Sequence, residues 1–199
     1  MARRVLLVHG LWMHAPVLYF WARKLRAAGY RTEYFSYQSL LQRPEHAAAR
    51  LRAEALAESD TDILAHSLGG LIVLEALAGC RNFGGRILCV GSPLAGSRIV
   101  RQYRDSVLGT LAGHSTALLS RGFTQVPDGL DVSVIAGTHA KGLGRLVHRF
   151  DEPNDGSVAV SETWIPGLRR HLSVPVSHSG QLFSNTVMTH ILALLNRGV

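Results

Sequence analysis

Short apolar runs alternate along the chain with longer stretches in which apolar residues recur every three or four positions. Runs of about five apolar residues are typical of strands that are buried on both faces, and the longer spacing is typical of helices. The alternation therefore predicts an α/β domain around a mostly parallel sheet of about six strands. The predicted strands are Arg4–Val8, Arg31–Tyr37, Asp62–Ala65, Arg86–Val90, Val132–Ala136 and His171–Val174.

The amphipathic stretches between these strands predict helices on both faces of the sheet. The first helix begins near Leu18 and ends at Gly29, because glycine readily adopts the left-handed conformation of a helix cap. The other predicted helices are Pro44–Glu58, Leu68–Ala78 and a closing helix from about Gln181 to Asn196.

The alternation breaks between Ser92 and Asp131, where many Gly, Ser and Thr residues stand among scattered leucines. This stretch is longer than an ordinary connection in a compact domain. Residues 94–126 within it form either a cap or lid over a site, or an ordinary crossover helix with loops, since every parallel crossover needs a helix. We expect a single domain over residues 1–199 that includes this segment.

The chain has 199 residues, of which 47% are hydrophobic, so one domain can bury a sizeable core. Its apolar runs fall short of the roughly 18 residues that a membrane-spanning helix needs. The basic N-terminus is followed only by the apolar run Val5–Val8, which is too short for a signal peptide. The expected compartment is therefore the cytoplasm, and Cys80 and Cys89 are expected to be free thiols.

The net charge is +7, and because only Lys24 and Lys141 are lysines, 19 of the 21 basic residues are arginines. These residues are scattered, whereas nucleic-acid-binding proteins usually cluster them on one face, so we expect no nucleic-acid partner. A solvated basic surface accounts for the pattern, and weak association with anionic membrane surfaces stays open.

The most informative motif is Ala65-His66-Ser67-Leu68-Gly69-Gly70, which joins a predicted strand to a predicted helix. A sharp turn of this kind presents the serine at the carboxyl edge of the sheet, and small residues two positions before and after it avoid a clash. The N-terminus of the helix favours developing negative charge. Ser67 is the predicted nucleophile, and the alternative is a serine that only caps the helix.

A second motif, Val8-His9-Gly10-Leu11, ends the first predicted strand. A turn at Gly10 can present the backbone N–H of Leu11 to the edge where Ser67 lies. Together with the N–H of Leu68 it gives a predicted oxyanion hole with two donors. The alternative is that Gly10 only permits the chain to turn.

A serine is a poor nucleophile without a base, and the base needs a group that orients it. Among the ten histidines, His178 lies in the loop between the last predicted strand and the last predicted helix. Ligands bind at that edge of an open α/β sheet, so His178 is the predicted base. His139, which follows another predicted strand, is its rival.

The predicted acid is Asp155, in the segment Asn154-Asp155-Gly156 between the last two predicted strands. Gly156 allows a tight turn, and the carboxylate would hold the imidazole tautomer and stabilise the imidazolium. Asp151 and Glu152 are nearby competitors. An exposed turn without a catalytic role is the alternative.

Taken together, these motifs resemble the α/β-hydrolase superfamily, in particular its small lipase and esterase branch, which lacks the first two strands. The matching pieces, which include Gly91-Ser92-Pro93, run from near the first residue to near the last. The order Ser67, Asp155, His178 is also the order of nucleophile, acid and base in that fold. The resemblance implies a minimal α/β-hydrolase fold with these three roles, but it leaves the substrate open because one fold supports many reactions.

The expected function is therefore a serine esterase or lipase-like enzyme that cleaves small-molecule or lipid esters through an acyl-enzyme. No metal or cofactor is expected, because the sequence lacks His-Glu-x-x-His, paired Cys-x-x-Cys and Gly-x-Gly-x-x-Gly motifs. Trp12, Met13 and Leu94 are the predicted substrate contacts, although apolar residues of this kind also pack as core.

Three other functions stay open at this point. The same three residues would serve an acyltransferase or a thioesterase. The scaffold would also suit a non-catalytic binding protein. The arginines and an apolar lid would suit a protein that interacts with membrane surfaces.

Overall fold

The structure is a computed structural model that describes residues 2–103, 106, 112–140 and 150–196. It contains the strands β1 (Arg4–Val8), β2 (Arg31–Phe35), β3 (Thr61–His66), β4 (Arg86–Val90), β5 (Asp131–Gly137) and β6 (Arg170–Val174). They form a sheet in the order β2-β1-β3-β4-β5-β6, with every pairing parallel. The predicted α/β sheet is therefore confirmed.

The second strand ends at Phe35, two residues before its predicted end at Tyr37. Tyr37 leaves the sheet to stack on the buried ring of His9, with ring centroids 4.4 Å apart. Its hydroxyl donates a hydrogen bond of 3.0 Å to the carbonyl oxygen of His9. This contact makes His9 a packing residue that holds the loop after β1.

The helices within the described residues also follow their predictions closely. The closing helix, however, begins at Asn185 and not near Gln181, because the Ser184 hydroxyl caps it by accepting the Val187 N–H at 3.3 Å. Gln181 lies in a separate 3-10 turn. The α-helices are α1 (Tyr19–Ala27), α2 (Pro44–Leu56), α3 (Leu68–Leu77), α4 (Arg98–Tyr103), α5 (Thr116–Arg121) and α6 (Asn185–Leu195), and the 3-10 turns are Ala15–Leu18, Gly113–Ser115, Val160–Thr163 and Gly180–Leu182.

The sheet is buried on both faces, as continuous apolar strands require. Alternate residues of β1 point to opposite sides, so Leu6 and Val8 belong to one core cluster while Val5 and Leu7 belong to the other. Helices α2 and α3 pack in the first cluster, and α1 and α6 pack in the second. The prediction of helices on both faces is confirmed.

Neighbouring strands end level with one another at the carboxyl edge of the sheet. Val8 of β1 pairs with Ala65 of β3, and His66 pairs with Val90 of β4. The loops that leave these strands therefore open at one edge, and the functional side chains lie there.

Residues 94–126 contain α4 and α5, and Leu118 and Leu119 of α5 are buried in the cluster with α2 and α3. This part of the segment is packed on the core as an ordinary layer of helix. Residues 104, 105 and 107–111, with the leucines at 108 and 111, lie outside the described residues. The cap or lid stays a prediction.

None of the helices in the described ranges is both long and apolar enough to cross a membrane. Cys80 and Cys89 are buried free thiols, as predicted.

Candidate active site

Ser67 occupies the turn from β3 to α3 in a strained backbone conformation, with φ 55° and ψ −125°. A non-glycine residue rarely adopts positive φ, and where it does the strain is often part of a site. The turn is tight enough that a Cβ at Gly69 would lie 2.7 Å from the His9 carbonyl oxygen, and one at Gly10 would lie 2.9 Å from Ser67 Cβ. Glycine at both positions therefore lets the loop after β1 approach the serine.

His178 extends from the loop after β6 to the Ser67 hydroxyl. Its Nε2 accepts the hydroxyl hydrogen bond at 3.1 Å, and its side chain is 13% exposed. The backbone of His178 is fixed from two sides, because its N–H donates to the Asp155 carbonyl oxygen at 2.9 Å and its own carbonyl accepts from His66 Nε2 at 3.2 Å. The imidazole is thus held against the serine by its own main chain.

His66 is buried beside this pair, with its ring centroid 4.8 Å from that of His178. Burial lowers the pKa of His66 to about 3, and the neighbouring His178 adds to this effect. His66 is therefore neutral near pH 7, and its Nε2 must carry the hydrogen because a carbonyl oxygen only accepts.

Asp155 lies behind His178 and is 1% exposed. Its Oδ2 accepts a hydrogen bond of 2.7 Å from His178 Nδ1, while its Oδ1 accepts the backbone N–H groups of Ser157 at 3.0 Å and Val158 at 2.8 Å. Burial acts to raise the pKa of Asp155, but His178 and these two N–H groups outweigh it and the pKa is lowered. Asp155 is therefore ionised at neutral pH.

Gln181 is a further residue of this site that the sequence did not reveal. It is fully buried, and its Nε2 donates a hydrogen bond of 2.8 Å to Asp155 Oδ2, the oxygen that also accepts from His178. Space for the amide exists because β4 and β5 are followed or ended by glycine. A Cβ at Gly91 would lie 2.6 Å from Gln181 Oε1, and one at Gly137 would collide with Gln181 Nε2.

The competing residues do not reach this hydrogen-bonded series. His139 is exposed, and its N–H donates to the Val176 carbonyl oxygen at 3.4 Å. Glu152 pairs with Arg98 instead, and Asp151 is exposed. The structure thus brings together Ser67, His178 and Asp155, the three residues that the sequence analysis selected.

Leu11 and Leu68 flank the serine, Leu11 in the loop that touches it through Gly10 and Leu68 as the first residue of α3. Within the described part of the chain, neither backbone N–H donates a hydrogen bond. Both groups are thus available to an external acceptor, as an oxyanion hole would require.

The three predicted substrate contacts differ in their accessibility. Trp12 is 61% exposed, has φ 57°, and its N–H donates to Ser39 Oγ at 3.1 Å, so it stands at the rim of the site. Met13 is half-buried against the cluster with α1 and α6. Leu94 was predicted wrongly, because it is 0% exposed and packs in the core with α2 and α3.

In the described residues there is no group of three or more His, Cys, Asp or Glu side chains that could hold a metal ion.

Comparison with known proteins gave little at the level of sequence. No family model matches the chain. Phosphoglucosamine mutase of Streptococcus pneumoniae (strain Hungary19A-6) is 28% identical over 162 residues, which cover 71% of this chain and 36% of the mutase. The chain thus spans about a third of the length of the curated relatives that it matches.

Comparison of structures gave a clearer result. The mature form of the lipase BlEst2 of Bacillus licheniformis matches with a TM-score of 0.82 at 17% identity, over 98% of this chain and 92% of the lipase. The metagenomic carboxyl esterase MGS0156 matches with a TM-score of 0.69 at 18% identity, over 97% of this chain and 75% of the esterase. Polyneuridine aldehyde esterase matches with a TM-score of 0.68 at 11% identity, over 98% of this chain and 100% of the esterase. At these identities the likeness establishes a shared fold.

Proposed function

We propose that this chain, which has the α/β-hydrolase fold, is a serine hydrolase that cleaves carboxylic esters through an acyl-enzyme. The observation that supports the proposal most directly is the series of hydrogen bonds from Ser67 Oγ to His178 Nε2, 3.1 Å, and from His178 Nδ1 to Asp155 Oδ2, 2.7 Å. A nucleophile, a base and an orienting carboxylate at these distances are the parts that acyl transfer needs. The lipase and esterase named above share the fold.

The first half of the reaction forms the acyl-enzyme. His178 Nε2 takes the proton of the Ser67 hydroxyl as Ser67 Oγ attacks the ester carbonyl carbon. The tetrahedral intermediate then collapses, the bond to the alcohol oxygen breaks, and the alcohol leaves with the proton from His178. Water repeats these steps on the acyl group, so the products are the acid and free Ser67.

Asp155 acts through His178. An ionised carboxylate at Nδ1 fixes the tautomer that leaves Nε2 free to accept a proton, and it stabilises the imidazolium once it forms. The lowered pKa of Asp155, held down against burial by His178 and the backbone N–H groups, keeps the carboxylate charged at neutral pH.

The negative charge of the tetrahedral intermediate is accepted by the N–H groups of Leu11 and Leu68. Their lack of an acceptor among the described residues supports this role. The N-terminus of α3 adds a favourable dipole at the same point, because Leu68 is its first residue. The exposed Trp12, next to Leu11, offers an aromatic surface to the ester, which favours apolar or lipid-like substrates.

The proposal is tested by replacing Ser67. In Ser67→Ala, hydrolysis of a series of nitrophenyl esters should fall by about 10⁴-fold or more in kcat, because the nucleophile is lost while the fold is kept. A fluorophosphonate probe should label the wild-type protein and not the variant.

Ser92→Ala is the matched control, since Ser92 is a buried serine at the same edge of the sheet. It should keep both labelling and turnover. Wild-type turnover in Ser67→Ala, or equal losses in the two variants, would contradict the assignment.

A further inference from the structure

The acidic residues of the chain are unevenly distributed. All fourteen lie between Glu33 and Glu162, so residues 1–32 and 163–199 contain none. The first of these segments contains the loop after β1 and helix α1, and the second contains the His178 loop and helix α6. Basic residues occur in both.

The two acid-free segments fold onto the same side of the molecule. Helices α1 and α6 contact each other and pack in one core cluster, through Trp21 and Leu25 from α1 and Val187 and Ile191 from α6. One entire helical layer, the α1/α6 face, is therefore built from helices without a carboxylate. The opposite layer, with α2 and α3, carries Glu45, Glu54 and Glu75.

Aromatic side chains are exposed at the end of this face that adjoins the site. Tyr19 is 60% exposed and Phe183 is 59% exposed. Phe183 meets Phe20 edge to face, with ring centroids 6.4 Å apart, and Lys24 Nζ lies 5.6 Å from the centre of the Phe20 ring. Because α1 starts at the carboxyl edge of the sheet, Tyr19 and Phe20 lie near Ser67 and the cations follow one turn further along.

The cations on this face differ from those elsewhere in their partners. Arg3, Arg4, Arg31 and Arg98 each pair with carboxylates. Arg23 is exposed and Lys24 is half-buried, and neither pairs with an acid within the residues that the structure describes. An unpaired cation beside an exposed aromatic ring suits a surface that is both anionic and apolar.

We propose that the α1/α6 face docks on an anionic lipid surface, with Arg23 and Lys24 at the headgroups and Tyr19 and Phe183 in the interfacial layer. A lipid surface fits better than a nucleic acid, because the aromatic rings flank the cations at one rim and the arginines of the chain are otherwise scattered. In this orientation the edge that carries Ser67 adjoins the lipid. The docking does not depend on the chemistry of Ser67.

Sedimentation with vesicles tests the docking separately from catalysis. The protein is used as Ser67→Ala, so that lipid hydrolysis cannot interfere. It should sediment with vesicles of phosphatidylcholine mixed with phosphatidylglycerol, much less with phosphatidylcholine alone, and high salt should release it.

The variant Arg23→Glu/Lys24→Glu should weaken binding to the anionic vesicles by at least about tenfold, since each basic residue near the surface contributes a sizeable attraction. Arg50→Glu/Arg52→Glu on α2 is the matched control, with the same change in net charge on the opposite face, and it should bind much more tightly than the first variant. Phe183→Ser should weaken binding by several-fold while leaving the salt dependence in place.

Equal losses in the two charge variants would show attraction by net charge alone and overturn the docking face. Unchanged binding of Arg23→Glu/Lys24→Glu, or tighter binding of an oligonucleotide than of the vesicles, would also overturn it. With Ser67 restored, the Arg23→Glu/Lys24→Glu protein should hydrolyse a soluble nitrophenyl ester at the wild-type rate. A failure of docking is thereby separated from a failure of the proposed catalysis.

Discussion

Asp62 and Asp155 are both almost fully buried, but they lie at opposite edges of the sheet and have different partners. Asp62, near the start of β3, accepts hydrogen bonds from the Arg3 guanidinium and, at 2.7 Å, from the backbone N–H of Arg86. Asp155 accepts from an imidazole, a side-chain amide and two backbone N–H groups. Burial is equal, and the nature of the donor separates the two sites.

The difference decides what each carboxylate can do. Arginine stays protonated at every pH that a folded protein experiences, so the Arg3–Asp62 pair cannot move a proton and serves only to hold the amino edge together. Histidine exchanges its proton near neutral pH, so the His178–Asp155 pair can take a proton from a neighbouring hydroxyl. The buried carboxylate is thus structural at one edge and suited to catalysis at the other.

The largest effect is expected for Asp155→Asn. This change should lower kcat for ester hydrolysis by about 10³–10⁴-fold, because a neutral amide neither fixes the imidazole tautomer nor stabilises the imidazolium. Steady-state kinetics on nitrophenyl esters would measure it, with circular dichroism to check the fold.

Asp62→Asn is the matched control for burial. It should lower the free energy of unfolding by about 2–3 kcal/mol, somewhat less than for a fully buried pair because Arg3 keeps part of its contact with water. Its kcat should stay within a few-fold of the wild-type value. If Asp62→Asn lost activity as Asp155→Asn does while its unfolding in urea was unchanged, the contrast between the two edges would be wrong.

A smaller effect is expected for Gln181→Met. Asp155 keeps three of its donors, so kcat/KM should fall by only about tenfold. The remaining negative charge is then shared with fewer donors and stabilises the imidazolium more strongly. The acidic limb of the pH profile of kcat/KM should therefore move to higher pH.

Leu182→Val, on the same 3-10 turn, provides the comparison for packing alone. Leu182 is buried and packs in the cluster with α1 and α6. Its replacement should lower stability and leave the pH profile in place. A Gln181→Met profile that coincides with the wild-type profile would limit Gln181 to packing.

The smallest effect concerns the pH dependence of stability and depends on His66. Its pKa is about 3 in the folded protein. In the unfolded chain a histidine has a pKa of about 6.5, so between these values the unfolded state binds one proton more and folding is weakened as the pH falls. Relative to His66→Gln, the wild type should lose about 2 kcal/mol between neutral pH and about pH 5.

Urea unfolding of both proteins at several pH values measures this difference. His139→Gln serves as the control, because His139 is exposed at the same edge. A wild-type protein whose stability falls with pH in parallel with His66→Gln would show that His66 is not held neutral by burial.

Local rules were enough to predict the strands, the helices and the three central residues of the site. The turn at Ser67 needs small neighbours on either side, and Asp155 and His178 each follow from a loop at the carboxyl edge, so the relevant constraints act over a few residues of sequence. The predicted end of β2 at Tyr37 was wrong because the ring of His9, distant in the chain, draws Tyr37 out of the sheet.

Other features of the site left no such local trace. Gln181 was predicted as the start of an amphipathic helix, and its amide finds Asp155 only because Gly91 and Gly137 from two neighbouring strands leave room for it. Leu94 was expected to contact substrate, and the packing of α5 and α3 placed it in the core instead.

The amino-acid sequence by itself determined the order of strands and helices, the strained serine turn and the absence of carboxylates from both ends of the chain. These depend on steric limits and polarity that neighbouring residues impose on each other. Only the tertiary structure decided which donor meets each buried carboxylate, and that both acid-free segments form one face. Those pairings join residues more than a hundred positions apart, and they are set by how strands align and how helices pack on the sheet.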